Sequence, residues 1–216
     1  MKILITGTSR GIGCATALRF LSAGHHVVGI DKNNPAINHA EYQHIVCDIW
    51  ADSLPGIPDV DILINNAGQQ KMSMEDIDVN LKSLIKCTEK YGIRQGIKAI
   101  VNIASVSGHN GAEFPEYAAS KGGVLAYTKN VANSVAEFGA TCNSISPGGV
   151  LTESNNHIIK NPQLWDKVMK ECLLPKWALA EEIAEWIYFI AVVNKSMTGQ
   201  DVVIDNGETA KFNFVW

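Results

Sequence analysis

Short apolar runs alternate along the chain with longer stretches in which apolar residues recur every three or four positions. The runs at 3–6, 26–30, 44–47, 61–65, 99–103, 141–145 and 201–204 have strand length and predict β-strands. The run at 99–103 is apolar enough to be covered on both faces, as parallel strands are. Helical periodicity over 12–23, 74–90, 116–138 and 180–192 predicts helices. Gly24 follows the first of these, where a left-handed cap is natural. Alternation of strands and helices predicts an α/β fold, one domain built on a doubly wound parallel sheet with helices on both faces. Two stretches break the rhythm. Residues 32–42 hold Asn33, Asn34 and Pro35, and residues 50–60 hold Pro55 and Pro58, so both crossovers read as abbreviated and without a full helix. Residues 153–177 begin polar and turn helical.

Composition narrows the class. A chain of 216 residues with 46% hydrophobic and 19% charged residues fits one globular domain, here 1–216, able to bury its own core. A net charge of -4 without a dense basic run argues against a nucleic-acid partner. No stretch approaches the roughly 18 apolar residues of a membrane span. Lys2 is followed at once by the run at 3–5 with no leader before it, and the five cysteines are odd in number and lack CxxC spacing. They read as free thiols of a reducing compartment, which makes the cytoplasm the expected location, and no metal site is indicated.

The first strand runs into Thr6-Gly7-Thr8-Ser9-Arg10-Gly11-Ile12-Gly13, which opens the first helix. Gly7 permits a tight turn, Gly11 lets backbone approach a ligand, and Gly13 allows close helix-to-strand packing. Free N–H groups at the helix start would face an anion. Either this is an ordinary glycine-rich turn or it is the pyrophosphate site of a Rossmann-like fold, and the flanking strand and helix favour the second. Asp31, at the end of the second strand, can accept both ribose hydroxyls of an adenosine and repel a 2′-phosphate, which favours NAD. Arg10 and Lys32 could pair with that phosphate, so NADP stays open.

Tyr117 and Lys121 lie four apart on a predicted helix and so share a face. A free phenol with a pKa of ~10 is about one-thousandth ionised at pH 7. A neighbouring ammonium favours the phenolate, and the tyrosine could then act as base toward an alcohol or as acid toward a ketone. This spacing is common on helix surfaces, and its meaning comes from its company.

Taken together, the chain resembles the short-chain dehydrogenase/reductase family over nearly its whole length. The motifs stand in family order: Thr6-Gly7-x-x-x-Gly11-Ile12-Gly13, Asn65-Asn66-Ala67-Gly68, Asn80 in Asp78-Val79-Asn80-Leu81, Ser105 after Asn102-Ile103-Ala104, Tyr117 with Lys121, and Ser146-Pro147-Gly148-x-x-x-Thr152. The resemblance implies an NAD(P)-dependent oxidoreductase acting on a small alcohol or carbonyl substrate. It makes Tyr117 the acid/base, Ser105 the hydrogen-bond partner of the substrate oxygen, and Lys121 the group that lowers the tyrosine pKa and holds the nicotinamide ribose. Asn80 would hold a relay water, Asp48 and Ile49 the adenine, and Ser9, Arg10 and Ile12 would belong to the phosphate turn. Asn66, Ala67 and Gly68 would line the cofactor floor. Pro147, Gly148, Val150 and Thr152 would hold the carboxamide. Bland readings stand beside these: Ser105 as a strand-end cap, Asn80 facing solvent, Asp48 as a turn residue.

The chain is shorter than usual members, with losses at 32–42, 50–60 and 69–77. The Ser105-to-Tyr117 gap is one residue short, so Ala104 could align opposite Tyr117, with Ser107 as a fallback hydroxyl. Asp205-Asn206-Gly207 replaces the usual Asp-Gly-Gly, and Asn tolerates the positive φ of that turn. Residues 153–177 would form a lid, with Gln69, His109, Asn110, His157 and Trp165 as pocket candidates. The apolar tail 212–216 packs either on its own domain or on a second subunit, and a homodimer or homotetramer is expected. Two alternatives are kept: an NADPH-dependent 3-oxoacyl-type reductase, suggested by Arg10, and a nicotinamide-binding sensor or scaffold without turnover.

Overall fold

The computed structural model describes residues 1–112 and 114–212. Its strands are β1 (Lys2–Thr6), β2 (His26–Asp31), β3 (Tyr42–Val46), β4 (Ile62–Asn65), β5 (Ala99–Ile103), β6 (Thr141–Pro147), β7 (Val150–Leu151), β8 (Ala178–Leu179) and β9 (Asp201–Ile204). Seven of them form one sheet in the order β3–β2–β1–β4–β5–β6–β9, and β7 and β8 pair separately. Every pairing is parallel, as the apolar runs predict. The helices are α1 (Gly11–Ser22), α2 (Glu75–Ile77), α3 (Ser83–Cys87), α4 (Ser107–Asn110), α5 (Pro115–Val135), α6 (Asn156–Ile159), α7 (Pro162–Met169) and α8 (Ala180–Tyr188).

Strand periodicity divides the core in two. Ile3, Ile5, Ile62, Ile64 and Val101 pack with Phe20 and Leu21 of α1 and Ile183 and Ile187 of α8 on one face. Leu4, Leu63 and Ile100 pack with Cys87, Tyr91, Val131 and Val135 on the other. The helix expected over 74–90 is present but not uniform: α2 and α3 alternate with π-helical turns at Asp78–Lys82 and Thr88–Gly92. Periodicity in sequence does not distinguish such a turn from α-helix.

Both abbreviated crossovers lack a helix, as expected. Between β3 and β4 the chain buries Ile49, Leu54 and Val60 where a helix would pack. Its carbonyls find donors on the helix opposite. Lys86 Nζ donates to Ile49 O (3.3 Å) and Asp52 O (2.7 Å), Lys90 Nζ to Leu54 O (2.6 Å), and the Tyr91 hydroxyl to Pro55 O (2.6 Å). Buried backbone oxygens need such partners once the helical ladder is gone.

A row of buried amides crosses the sheet. Asn65 and Asn102 sit in register on β4 and β5. Asn65 Nδ2 donates to Asn102 Oδ1 (2.9 Å) and to Thr88 Oγ1 (2.8 Å), and Asn102 Nδ2 to Thr128 Oγ1 (2.9 Å).

Asn206 takes φ +56°, the positive value expected of that turn. All five cysteines are free. Among the described residues no helix is long and apolar enough to cross a membrane, and no cluster of metal-ligating side chains occurs. Of the tail, residues 213–216 lie outside the described residues, and Phe212 is exposed.

Candidate active site

The sequence candidates converge at the carboxyl ends of the strands, where the strand order reverses between β1 and β4. Ligands of open parallel sheets bind at such a switch point. The turn after β1 is built on glycine. Gly7 has φ +79°, and a Cβ on Gly13 would lie 1.9 Å from the Gly7 carbonyl oxygen, so neither position accepts a side chain. Asn66 Nδ2 donates to the carbonyls of Thr6 (2.9 Å) and Gly7 (3.0 Å), and Thr6 Oγ1 accepts the N–H groups of Asn66 and Ala67. Asn66 and Ala67 thus brace the turn. Arg10 precedes α1 in extended conformation, no side chain caps the helix, and its first turn carries no acidic residue. The N-terminal donors of Gly11, Ile12 and Gly13 belong to a 12-residue helix and carry its positive end. That cradle fits a pyrophosphate. Thr152 closes on it: a Cβ on Gly11 would be 3.4 Å from Thr152 Cγ2.

Asp31 borders the same turn. Its Oδ2 accepts the Ser9 N–H (2.9 Å), and its Oδ1 accepts both the N–H and the side-chain amide of Asn33. Asp48 Oδ1 accepts the N–H groups of Trp50 (3.0 Å) and Ala51 (3.4 Å), so this carboxylate shapes the turn after β3, and Ile49 beside it is buried.

On α5, Lys121 Nζ lies 5.8 Å from the centre of the Tyr117 ring and donates to Ile103 O at 2.8 Å. Burial pushes its pKa down to about 8, against the opposing pull of the Asp76 carboxylate. Gly68 opens the space beside it, since a Cβ there would stand 3.6 Å from Lys121 Nζ and 3.1 Å from Asn80 Oδ1. Asn80, in the first π-helical turn, is buried and does not face solvent. Its Oδ1 accepts the Gln69 N–H (2.8 Å), and its Nδ2 donates to Gln69 O (2.8 Å) and Ser120 Oγ (3.1 Å). Ser120 in turn donates to the Tyr117 carbonyl at 2.7 Å. Asn80 therefore ties the loop after β4 to the helix that carries Tyr117 and Lys121.

Ser105 is buried at the end of β5. Its hydroxyl donates to Ser107 Oγ (3.3 Å) and accepts the Ser107 N–H (3.2 Å), so the preferred and fallback hydroxyls touch each other. A Cβ on Gly108 would lie 2.7 Å from the Lys121 carbonyl carbon, which seats α4 directly on α5. Pro147 O accepts the Val106 N–H (3.1 Å), and the Gly148 N–H donates to Ile204 O (3.0 Å), while Val150 is buried in β7. The segment 153–177 returns at Trp177, whose indole lies where a Gly149 Cβ would be, and Trp165 stacks edge-on against it at 5.3 Å. Of the pocket candidates, His109 is engaged elsewhere, with Nε2 2.8 Å from Asp201 Oδ2 and 3.2 Å from Ser146 Oγ, and His157 is exposed.

Sequence reasoning missed the Gln69 backbone, Ser120 and Asp76. Gln69 acts through main-chain atoms, which leave no pattern, and Ser120 acts through a hydroxyl whose partner Asn80 is 40 residues away in sequence. Asp76 is fully buried and accepts the N–H groups of Lys71 and Met72. An acidic residue at an inward helical position was its one signal.

A profile of the short chain dehydrogenase family matches residues 1–163. A 3-oxoacyl-[acyl-carrier-protein] reductase of Synechocystis is 30% identical over 243 aligned positions, covering 94% of this chain and 95% of the relative. The fold superposes on a 4-hydroxyisoleucine dehydrogenase mutant complexed with NADH and succinate, with a TM-score of 0.89, 30% identity, and 99% and 100% of the two chains covered. It also superposes on a structure from Agrobacterium tumefaciens with bound NADP, described as a 2-deoxy-D-gluconate 3-dehydrogenase, with a TM-score of 0.87, 27% identity, and 97% and 96% covered. The fold and the glycine cradle define a nicotinamide-dependent oxidoreductase, acting by hydride transfer at a CH–OH or carbonyl carbon. The chain belongs to the short-chain dehydrogenase/reductase family.

Proposed function

We propose that Tyr117 is the acid/base of this oxidoreductase, that Lys121 is its electrostatic partner and that Ser105 holds the substrate oxygen. The reading rests on one observation: a buried Lys121 amine lies 5.8 Å from the Tyr117 ring on the same helix face, with a serine pair at the adjacent strand end. When bound, the nicotinamide supplies the carbon that gives or takes hydride. The protein's part is proton transfer and orientation. The Lys121 ammonium favours the phenolate of Tyr117, which takes the hydroxyl proton of an alcohol or returns it to a ketone. The Ser105 hydroxyl donates to the oxygen on which charge develops. Asn80 fixes α5 against the loop after β4, with any relay water held beyond the contacts described.

The turn 6–13 holds the pyrophosphate, Asp31 the adenosine ribose, Asp48 and Ile49 the adenine edge, and Pro147, Gly148, Val150 and Thr152 the carboxamide. Asp31 favours NAD, because its carboxylate borders the turn where a 2′-phosphate would sit. Arg10 and the Synechocystis relative support a second reading, an NADPH-dependent 3-oxoacyl-type reductase. Residues 153–177 serve as a substrate lid on one catalytic domain. The exposed Trp186 of α8, with Phe189 and Val193 of the π-helical turn that follows it (Phe189–Val193), supports self-association as a dimer or tetramer, and the free thiols support the cytoplasm.

Replacing Tyr117 by Phe tests the core of this reading. It should lower kcat by about 10²–10⁴ while cofactor still binds. A variant with undiminished turnover would remove the phenol from the chemistry, and faster turnover with NADPH than with NADH would select the reductase reading.

A further inference from the structure

The adenosine side of the groove contains a hydrogen-bonded chain that no motif announces. The hydroxyl of Thr8, a fully buried residue of the phosphate turn, lies 2.8 Å from the Tyr42 hydroxyl. That hydroxyl lies 2.7 Å from His44 Nδ1, and His44 Nε2 lies 2.9 Å from the carbonyl oxygen of Asn33. Asn33 itself donates twice to Asp31. The chain thus runs from the turn to the loop beside Asp31.

The geometry fixes its polarity. A carbonyl oxygen only accepts, so Nε2 carries the proton. With the ring neutral, Nδ1 accepts from the Tyr42 hydroxyl. Tyr42 oxygen then accepts the Thr8 proton. The Thr8 hydroxyl donates, the Tyr42 hydroxyl both accepts and donates, and removing the Tyr42 oxygen takes a partner from Thr8 and from His44 at once.

The sheet makes room for it. Tyr42 and His44 are two residues apart on the edge strand β3 and share a face, and in register they oppose Val27 and Gly29 of β2. A Cβ on Gly29 would stand 2.3 Å from the Tyr42 hydroxyl and 2.4 Å from Thr8 Oγ1. A glycine inside a buried strand costs stability, and here it lets two side chains meet across the strand.

We infer that Tyr42 and His44 are positioning residues for the adenosine half of the cofactor, coupling the phosphate turn at Thr8 to the ribose-side loop at Asn33. The inference rests on the reading of that groove as the dinucleotide site. It assigns neither residue a part in proton or hydride transfer.

The test is calorimetric titration of the whole protein with ADP and with NADH, alongside steady-state kinetics and thermal melting. Tyr42→Phe keeps the ring and removes the link. It should weaken ADP and NADH by the same factor, roughly five- to tenfold, with kcat at saturating cofactor within about twofold of wild type. His44→Ala, on the partly exposed edge strand, should weaken both ligands in the same direction and serves should Tyr42→Phe fail to fold. The double variant should be no weaker than the weaker single, because the members act in one chain. Unchanged ADP affinity in both single variants, a loss of kcat at unchanged affinity, or additive losses would overturn the inference. Wild-type protein that binds neither ADP nor NADH would defeat the cofactor reading itself, a separate outcome.

Discussion

Lys121 keeps only 5% of its surface exposed, yet the proposed chemistry needs its charge. Burial lowers its pKa to about 8, and the Asp76 carboxylate works against that shift. The linkage has a definite sign. The unfolded chain holds this proton up to its ordinary 10.5, so between about 8 and 10.5 the unfolded state binds more protons and the group's contribution to stability rises with pH. Asp76→Asn removes the opposing carboxylate. Lys121 should then deprotonate at lower pH, and the basic limb of the kcat profile should move toward acid. A limb that stays in place would mean the Asp76 charge does not reach the amine. At Gly13 the constraint is steric. A methyl group 1.9 Å from the Gly7 oxygen has no room, so Gly13→Ala should move turn and helix apart and weaken NADH at least tenfold, seen by fluorescence titration. Retained affinity would show that the turn can open without cost.

Among the elements, the helix-free crossover at 47–60 is the most exposed to single changes, because side chains of the facing helix do the work of a missing backbone ladder. Tyr91 keeps 2% of its surface exposed, and its hydroxyl is bonded to Pro55 O at 2.6 Å. Tyr91→Phe leaves that carbonyl short of a partner and should cost about 1–2 kcal/mol, or roughly 2–8 °C of melting temperature. An unshifted melting curve would mean water replaces the phenol freely. Most sheet strands could be read from sequence because they are apolar runs bounded by polar residues, β3 and β6 being more polar, and the two missing crossover helices because Asn33, Asn34, Pro35, Pro55 and Pro58 interrupt periodicity. The two-residue strands β7 and β8 could not be read, being too short for a pattern. Nor could the π-helical turns, whose extra residue per turn leaves the apolar spacing nearly intact. Within the site, glycine, tyrosine and lysine spacings were legible because a local motif fixes them. The Asn80 clamp on Gln69 and the Tyr42–Thr8 link were not, because each joins segments brought together only by the sheet.

For the molecule as a whole, α8 and the π-helical turn after it present Trp186, Phe189 and Val193 to solvent, with the two rings 6.2 Å apart edge to face. If this stripe joins subunits, Trp186→Glu should convert the assembly to monomer by light scattering at micromolar concentration, with the melting temperature falling as protein is diluted. Wild-type protein that is already monomeric at that concentration would end the proposal of self-association. The buried asparagines of β4 and β5 bear on a different whole-molecule problem, that of reaching the right pairing at all. Apolar parallel strands are nearly interchangeable with their own copies slid by two residues, since greasy surfaces match in either place. A slide of β4 along β5 would strand the amides of Asn65 and Asn102 in hydrocarbon, away from each other and from Thr88 and Thr128. The polar pair thus acts as an alignment key during folding, making the off-by-two sheet the costly one.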